Sequence, residues 1–477
     1  MGKRMIRQLA VMAVLLVAAT VATAAECISK TQLIATRSVL PNRVAGPVAW
    51  SGSVLAVAKQ ETGSAKAIHV ALYDQNLNAV TADVAVAEAS SEGPVAILWN
   101  GLEFGLFYRG ADSRIRLQRV SQAGELVGGA LITPNHGGFA EDEFHVVWDP
   151  TRSAYVMART ITQGGERGLW LEVIERDGRT RADRQIELFP ARPGANPRVA
   201  VTQNGTIGIF YKHAITEQLT LLRIDASETL HAAIPVATTP GLSYDVHARN
   251  NVFGVVRRIP FGGSRTEIRW LALDHTGAVV TGDRQLLESR GRDVGPVSLR
   301  GNEEEWALSY VDSPLGFDID RGEFRLHRFT TAGGRISDTL FSNDRSRFNA
   351  LGSDPFVWTG ASYVMSAEFT VSASEGSDSY LLSHCPIRAT AAASKTTILL
   401  YDPVTFSAAV QGGTGPYRYQ WDFGDRNFGN GSPVSHLYLH TGTYTAIVTV
   451  TDAAGGTSIS TVTVRVIEGK RRAVRPR

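Results

Sequence analysis

The chain has 477 residues, which is long for one hydrophobic core and indicates two or three domains. Its 48 basic and 46 acidic residues leave a net charge of +2, so the composition gives no reason to expect nucleic acid or an anionic membrane as a partner. Only two cysteines occur, Cys27 and Cys385.

The N-terminus has the three parts of a secretory signal peptide. The start is basic, with Lys3, Arg4 and Arg7, an apolar run extends from Leu9 to Val21, and Ala22-Thr23-Ala24 has the small side chains of a cleavage site. We therefore expect residues 1–25 to be removed and the mature protein to be extracellular, at the cell surface or in the periplasm. No later run approaches the roughly 18 apolar residues of a membrane span, so none is expected in the mature chain.

Residues 26–390 carry a repeat of about 50 residues. A unit has a turn with Pro, a short apolar run, a polar turn with Asn or Gly, and a second apolar run with an aromatic residue, as in "GPVAILWNGLEFGLFY" from Gly93. Five units begin with Pro, and two poorer copies fill the gaps. At the start of the second run we take these residues as equivalent: Leu55, Phe104, Tyr155, Ile207, Phe253, Trp306 and Tyr363.

Each unit continues with a third run that alternates apolar and polar residues, as from Arg114 to Val120, and an Asp-Gly or Thr-Gly turn often closes it as a hairpin. A fourth, weaker run follows, for example from Val80 to Ala87. Four short antiparallel strands per unit predict the blade of a β-propeller, and the chain has room for seven. Six or eight blades, or two packed β domains with coincidental spacing, are the alternatives.

Ring closure gives the two cysteines a role. The first and last blades of a propeller are neighbours, so Cys27 before the first unit and Cys385 at the end of the seventh are expected to form a disulfide. Because the loop is so long, the entropic stabilisation has an upper bound of roughly 5 kcal/mol.

Residues 391–468 have a different spacing and read as the short strands of a small β-sandwich. Four elements follow one another in this segment: Trp421-Asp422-Phe423-Gly424-Asp425, then His436 and Tyr438, then Gly442-Thr443-Tyr444, then Val448 to Asp452. In these elements the segment closely resembles the PKD domain, an immunoglobulin-like sandwich named for polycystic kidney disease proteins. The resemblance implies an accessory or adhesive module of secreted and cell-surface proteins, implicated in binding protein or polysaccharide, and it does not imply an activity.

The residue types of the first element, Trp421 to Asp425, can be explained by structural roles. Trp421 and Phe423 alternate with Asp422, so the rings are expected to face the core while the carboxylate bonds turn amides. Asp425 is given a structural role as well, with a weak calcium site as the alternative. Arg426 departs from the Gly that is usual after the second Asp, which predicts an altered turn.

No zinc spacing, P-loop, dinucleotide fingerprint or nucleophile elbow occurs, so no cofactor, metal or catalytic residue is predicted. A ligand site is expected where the connections that enter each first strand converge on the channel, and the richest connection is residues 133–145. A solvated polar rim is the alternative interpretation. The candidate ligand-binding residues are Glu92, His136, Glu141, Asp142, Glu143, His145, Arg192, Tyr244, Asp245, Arg292, Asp293 and Asp354.

These features favour a secreted or cell-surface protein without catalytic activity, in which the propeller presents a face for polysaccharide or an extracellular protein. One alternative is a hydrolase or lyase that acts on polysaccharide through carboxylates at the channel mouth. Another is a structural scaffold of the cell envelope. The basic tail, residues 469–477, is either a solvated terminus or an interaction segment, and the sequence leaves the oligomeric state open.

Overall fold

The computed structural model describes most of the chain between residues 30 and 468. The residues in that span that it does not describe are 36–42, 62–66, 89–94, 111, 113, 134–142, 164–165, 190–194, 214, 239–240, 242, 262–264, 290–292, 295–296, 314–321, 348–354, 373–375 and 454–455. The predicted signal peptide and the basic tail lie outside the described residues.

The described part of the propeller consists of antiparallel strands in four-stranded meanders. The first strand, β1 (Lys30–Ala35), precedes the meanders. Blade 1 contains β2 (Arg43–Trp50), β3 (Leu55–Glu61), β4 (Ala67–Tyr73) and β5 (Val84–Glu88); blade 2 contains β6 (Val95–Trp99), β7 (Phe104–Arg109), β8 (Ile115–Val120) and β9 (Leu126–Ile132); blade 3 contains β10 (Phe144–Asp149), β11 (Ala154–Gln163), β12 (Glu166–Glu175) and β13 (Thr180–Phe189).

Four further blades follow the same pattern. Blade 4 contains β14 (Ala195–Val201), β15 (Ile207–Lys212), β16 (Leu219–Ile224) and β17 (Ile234–Ala237); blade 5 contains β18 (Ser243–Arg249), β19 (Val252–Phe261), β20 (Arg265–Asp274) and β21 (Val279–Ser289). After the short strand β22 (Asp293–Val294), blade 6 contains β23 (Ser298–Gly301), β24 (Trp306–Ser313), β25 (Gly322–Phe329) and β26 (Arg335–Arg347); blade 7 contains β27 (Phe356–Trp358), β28 (Tyr363–Ser372) and β29 (Gly376–His384).

Strand β1 completes blade 7. It pairs antiparallel with β29, with Lys30 opposite Ser383, so the chain's first described strand is the outermost strand of its last blade. Two residue pairs between β26 and β28 join blades 6 and 7 into one nine-stranded sheet. The described residues thus form a ring of seven blades, which confirms the predicted propeller.

The core of the propeller lies between the blades. Strands such as β3 are buried along their whole length, because both faces of each blade are covered by its neighbours. Seven clusters of buried apolar side chains each join two consecutive blades, and one of them joins blade 7 to blade 1 through Leu381 and Val57. Burial therefore favours a closed ring over an open array of blades.

The hairpin between the third and fourth strands of a blade has a recurring form. Asp274 Oδ1 accepts hydrogen bonds from the amides of Thr276 (2.8 Å) and Ala278 (3.0 Å), and Gly277 takes a left-handed φ of +84°. Gly178 has the same conformation in blade 3, with φ at +89°. The Asp-Gly and Thr-Gly pairs thus close hairpins as predicted, since glycine adopts this conformation without steric cost.

The C-terminal part folds as two sheets packed face to face. Its strands are β30 (Arg388–Ala393), β31 (Thr397–Leu399), β32 (Pro403–Gln411), β33 (Arg418–Asp422), β34 (Phe428–Asn430), β35 (Val434–Leu437), β36 (Gly442–Thr451) and β37 (Thr457–Ile467). The sheet orders are β30-β32-β35 and β31-β37-β36-β33-β34. The prediction of a sandwich after the propeller is confirmed, and the boundary expected at residue 391 falls inside β30.

The first sequence element of the sandwich has the geometry expected of it. Trp421 and Phe423 are buried in the core, and Asp422 Oδ1 accepts a 2.9 Å hydrogen bond from the amide of Gly424. Burial raises the pKa of Asp425, but hydrogen bonds from Asn427 and His436 outweigh it and lower that pKa below its ordinary value. Both carboxylates therefore stabilise the turn.

Arg426 in the same turn takes a left-handed φ of +72°. A residue other than glycine seldom adopts this conformation, so Arg426 holds it at a cost in strain. Elsewhere, the described residues include no helix with the length and apolar character needed to span a bilayer.

Candidate functional site

The first strand of each blade lies innermost, and we call it the inner strand; the turn that joins it to the second strand is the first hairpin. The residue at or next to the end of each inner strand pairs across the first hairpin with one of the seven residues that the repeat makes equivalent. In blades 7, 1, 2 and 3 it is a tryptophan, and in blades 4, 5 and 6 it is valine, alanine and glycine. The pairs are Trp50 with Leu55, Trp99 with Phe104, Trp148 with Tyr155, Val201 with Ile207, Ala248 with Phe253, Gly301 with Trp306, and Trp358 with Tyr363. We call Trp50, Trp99, Trp148 and Trp358, on four consecutive blades, the tryptophan arc.

The arc lies at one mouth of the central channel. Every inner strand is reached from the preceding blade and runs in the same direction, so all seven inner strands end at the same mouth. We call this the arc mouth, and we call the other, where the inner strands begin, the far mouth. The four arc side chains are half-buried, so part of each ring is open to the channel.

Local structure fixes the arc side chains. Each is followed by a Ser, Asn, Asp or Thr that caps the first hairpin: Asn100 Oδ1, for example, accepts a 2.9 Å hydrogen bond from the amide of Glu103. The arc residues Trp99, Trp148 and Trp358 also pack against the aromatic residue across the hairpin. The ring centroids of Trp99 and Phe104, for example, are 5.0 Å apart. Capped turns and ring contacts hold the tryptophans in defined positions.

The channel contains a cavity of about 410 Å³ whose walls come from the inner strands of all seven blades. The four arc tryptophans line it, together with small or aliphatic residues such as Val201 and Ala248. Its titratable lining residues are His145, His247 and Arg300, and among the described lining residues there is no Asp or Glu. A mostly apolar cavity with a few polar groups is the common form of a ligand site.

Two arginines lie over the tryptophans at the ends of the arc. The Arg176 guanidinium carbon is 5.5 Å from the ring centroid of Trp148, and that of Arg388 is 5.5 Å from the ring centroid of Trp358. Both distances are within the range of cation–π attraction. Positive charge therefore flanks the aromatic surface on both sides.

Arg388 belongs to the sandwich, so the sandwich contacts the propeller beside the arc mouth. Its guanidinium forms a 3.3 Å ion pair with Glu304 in the first hairpin of blade 6. Thr457 Oγ1 in β37 also donates a 3.0 Å hydrogen bond to the carbonyl of Ile336 in the same blade. The sandwich thus contributes a side chain to the surroundings of the arc.

The described candidates from blade 3 at the far mouth bond to the next blade. The amide of Asn196 donates a 2.9 Å hydrogen bond to Glu143 Oε2, and the amide of Val199 donates a 3.2 Å hydrogen bond to His145 Nδ1. Both side chains therefore connect blade 3 to blade 4. His145 also lines the cavity.

The two candidates in blade 5 likewise bond to neighbouring blades. Tyr244 Oη donates to the carbonyls of Asn196 and Phe210 in blade 4, and burial raises the pKa of this phenol above its ordinary value. Asp245 Oδ2 accepts a 2.7 Å hydrogen bond from the amide of Leu299 in blade 6.

Asp245 also lies between two guanidinium groups, at 3.6 Å from Arg198 and 3.7 Å from Arg300. Its negative charge is thus shared between arginines of blades 4 and 6. Arg300 in turn donates a 2.6 Å hydrogen bond to the carbonyl of Leu299, which orders the inner strand of blade 6.

The other candidates are not placed by the structure. For Asp293 only the backbone is described, as part of β22. Seven candidates lie outside the described residues: Glu92, His136, Glu141, Asp142, Arg192, Arg292 and Asp354. Cys27 lies outside them as well. Their roles remain predictions, while Cys385 is buried and no described cysteine is free. Among the described residues no group of three or more His, Cys, Asp or Glu side chains is arranged to hold a metal ion.

Sequence reasoning missed the tryptophan arc, although a signal for it exists. Each arc residue stands directly before a small polar residue and then Gly or Pro, as in "WSG", "WNG", "WDP" and "WTG". The repeat aligns these four motifs on one position. Treating the tryptophans as ordinary members of an apolar run hid the fact that they end the inner strands.

Comparison with known proteins identifies the C-terminal domain. Residues 386–466 match the family model described as PKD domain. The predicted resemblance is therefore confirmed for this part of the chain. None of the curated proteins compared with the chain matches it in sequence.

Among solved structures, the chain is similar to a prolyl endopeptidase, with 10% identity, a TM-score of 0.42 and coverage of 90% of this chain and 62% of that one. The chain thus spans less than two thirds of that protein. It is also similar to the WD40 domain of SCAP from fission yeast (10% identity, TM-score 0.38, 92% and 98% covered) and to the lectin SapL1, solved with alpha methyl fucoside (13%, 0.40, 63% and 96%). At these TM-scores the similarities carry no argument about function.

Proposed function

We propose that this protein is a secreted or cell-surface binding protein without catalytic activity, and that its ligand binds at the arc mouth of the propeller. The tryptophan arc is the observation that carries this proposal. Four aromatic side chains at one repeat position, each held by a capped turn and each lining a common cavity, form a preorganised surface. A ligand that binds there meets little loss of side-chain entropy.

A polysaccharide is the ligand class that fits this surface. The C–H faces of pyranose rings are apolar, so a sugar ring can pack on the flat face of an indole. The hydroxyl groups of the sugar need polar partners, such as the N–H at the edge of the indole. The cavity that the rings line also has polar groups in its wall, in His145, His247 and Arg300. Since the arc extends over four of the seven blades, it presents contacts for several sugar units of one chain rather than for a single sugar.

An extracellular place of action supports the same proposal. The N-terminal sequence has the composition of a signal peptide. The resemblance of residues 391–468 to the PKD domain implies a secreted or surface protein and an accessory binding role. The arc mouth and the sandwich are then two neighbouring parts of one binding protein, joined beside the arc by Arg388 and Glu304.

The proposal is tested by measuring binding of the mature chain, residues 26–477, to a panel of polysaccharides and insoluble cell-wall fractions. The soluble phase is assayed for released sugars. Retention without release supports a binding protein, and release would favour the hydrolase or lyase. The variants Trp50→Ala and Trp99→Ala are expected to weaken retention about tenfold or more, because aromatic side chains supply most of the binding energy in such sites.

Trp170→Ala is the matched control. Trp170 is a half-buried tryptophan on the third strand of blade 3 and does not line the cavity. Thermal unfolding of all three variants shows whether the propeller is intact, and Trp99→Phe keeps an aromatic ring if the alanine variant fails to fold. Equal retention by the arc variants and the control would refute the arc as the ligand site.

A further inference from the structure

The charges around the arc indicate which kind of polysaccharide it takes. We infer that the arc mouth binds an acidic polysaccharide, with a uronate carboxylate next to Trp148 paired with Arg176. This inference rests on the proposed function, because it names the ligand class for the same site. It depends on three features of the mouth: the state of Arg176, the charge of the cavity wall and the difference in charge between the two ends of the arc.

Arg176 is a half-buried cation that forms no ion pair with a described carboxylate. Its guanidinium carbon lies 5.5 Å from the ring centroid of Trp148, and its buried Nε has no hydrogen-bond partner. Its neighbour Asp177 is instead paired with Arg179, at 2.8 Å. The N–H groups of a guanidinium are those that bind a carboxylate in a bidentate manner.

The cavity that Trp148 lines also has no carboxylate among its described lining residues. The described lining residues include Arg300 and two histidines and no carboxylate, so an anion in the cavity meets no repulsion from the wall. Buried carboxylates near the mouth are already neutralised: Asp149, directly after Trp148, forms an ion pair with Arg152, at 2.6 Å. The field in this part of the mouth therefore favours an anion.

The two ends of the arc differ in charge. At the blade 7 end, Arg388 is paired with Glu304, and Glu303 next to it is exposed. At the blade 3 end, Arg176 forms no such ion pair with a described carboxylate. The acidic group of the ligand is therefore placed at the blade 3 end, and Arg388 is expected to contribute less than Arg176.

A matched pair of ligands tests the inference. Polygalacturonate and the same polymer after reduction of its carboxyl groups differ in charge and share the sugar backbone. Native protein is expected to bind the acidic polymer about tenfold more tightly, a preference that weakens as salt is raised from about 0.05 to about 0.5 M because the ion pair is screened.

Arg176→Gln is expected to lose about fivefold in affinity for polygalacturonate and to bind the reduced polymer as native protein does, while Arg176→Lys keeps part of the preference. Arg465→Gln, which removes an exposed cation from β37 of the sandwich, is the control and is expected to change neither affinity. A protein with equal affinity for both polymers, or an Arg176→Gln variant that behaves like Arg465→Gln, would overturn the inference.

Failure of the inference and failure of the proposed function give different results. If Trp99→Ala abolishes binding to both polymers and Arg176→Gln changes neither, the arc remains the ligand site and the preference for acid is wrong. If neither polymer binds but another polysaccharide is retained through the arc, the inference is wrong and the proposed function holds. If only an acidic protein binds, both are wrong as to ligand class.

Discussion

Asn100 in blade 2 donates a 2.8 Å hydrogen bond from Nδ2 to Oη of Tyr155 in blade 3, and Asn302 makes the same 2.8 Å bond to Tyr363 from blade 6 to blade 7. All four side chains are buried. Each Asn also caps its own first hairpin through Oδ1. One amide side chain thus fixes a turn at the arc mouth and ties two blades together.

Tyr155→Phe is expected to lower the free energy of unfolding by about 1–2 kcal/mol, because it leaves a buried Asn100 N–H without a partner. Tyr363→Phe is expected to cost more, since Tyr363 Oη also donates a 3.1 Å hydrogen bond to Glu305. Denaturant unfolding followed by tryptophan fluorescence measures both, with exposed Tyr401→Phe as the control. Identical midpoints for Tyr155→Phe and the control would show that the bond between blades contributes nothing.

A Cys27–Cys385 disulfide is the second prediction. Lys30, three residues after Cys27, pairs with Ser383, two residues before Cys385, so the backbone brings the flanking segments together. Non-reducing peptide mapping of the exported protein is expected to recover the two cysteines in one cross-linked peptide. Cys385→Ser is expected to lower stability by about 2–5 kcal/mol, because β1 is then held to blade 7 by strand pairing alone. Two thiols that react with a thiol reagent in the folded protein would refute the bond.

Acid is expected to destabilise the propeller through two buried histidines. Burial lowers the pKa of His327 to about 4, against a partly opposing effect of Asp338, and burial with the nearby Arg328 lowers the pKa of His384 to about 3. An unfolded histidine binds its proton near pH 6.5, so the unfolded state holds more protons below that pH and stability falls as the pH falls.

The expected loss per histidine is on the order of 1–2 kcal/mol between about pH 7.5 and about pH 5, above the range where most carboxylates titrate. Melting temperatures across this interval measure it. His327→Gln is expected to flatten the dependence, while His440→Gln, in an exposed position of the sandwich, is expected to leave it unchanged. A slope that is the same in native protein and His327→Gln would contradict the assignment to His327.

The sequence predicts the ring well because the repeat encodes local features. Pro turns, alternating runs and turns such as Thr276-Gly277 depend on neighbouring residues, and they recur in most of the blades. Strand β1 is harder to foresee, because residues 30–35 precede the first unit and their pairing partner in β29 lies some 350 residues away in the chain. The ring closes because residues far apart in the chain bury one another, and a pattern of neighbouring residues cannot show this.

The candidate site is less predictable for a related reason. Whether a tryptophan at the end of a short apolar run lies in a core or lines a channel depends on which strand of the blade is innermost. The Asn100 to Tyr155 bond connects residues of different units, so a pattern within one unit cannot show it. The described far-mouth candidates, Glu143 and Asp245 among them, show the converse: charged residues chosen for their chemistry also bond to backbone amides of the next blade.

The last prediction concerns the side of the channel opposite the arc. Ala248 lines the cavity, is only half-buried, and also packs against the apolar cluster between blades 4 and 5. Ala248→Trp is expected to fill part of the approximately 410 Å³ and to weaken polysaccharide binding about tenfold, and its melting temperature shows whether the ring is intact.

Two comparisons make the cavity prediction specific. Ala248→Val adds little volume and is expected to bind nearly as native protein does, and Ala123→Trp places the same ring on an exposed turn of blade 2 as a control for added hydrophobicity. Isothermal titration with the polysaccharide retained in the binding assay gives the affinities. If Ala248→Trp binds as tightly as native protein, the ligand contacts the outer rim of the arc without entering the channel, because a ligand inside it would have to displace the new indole.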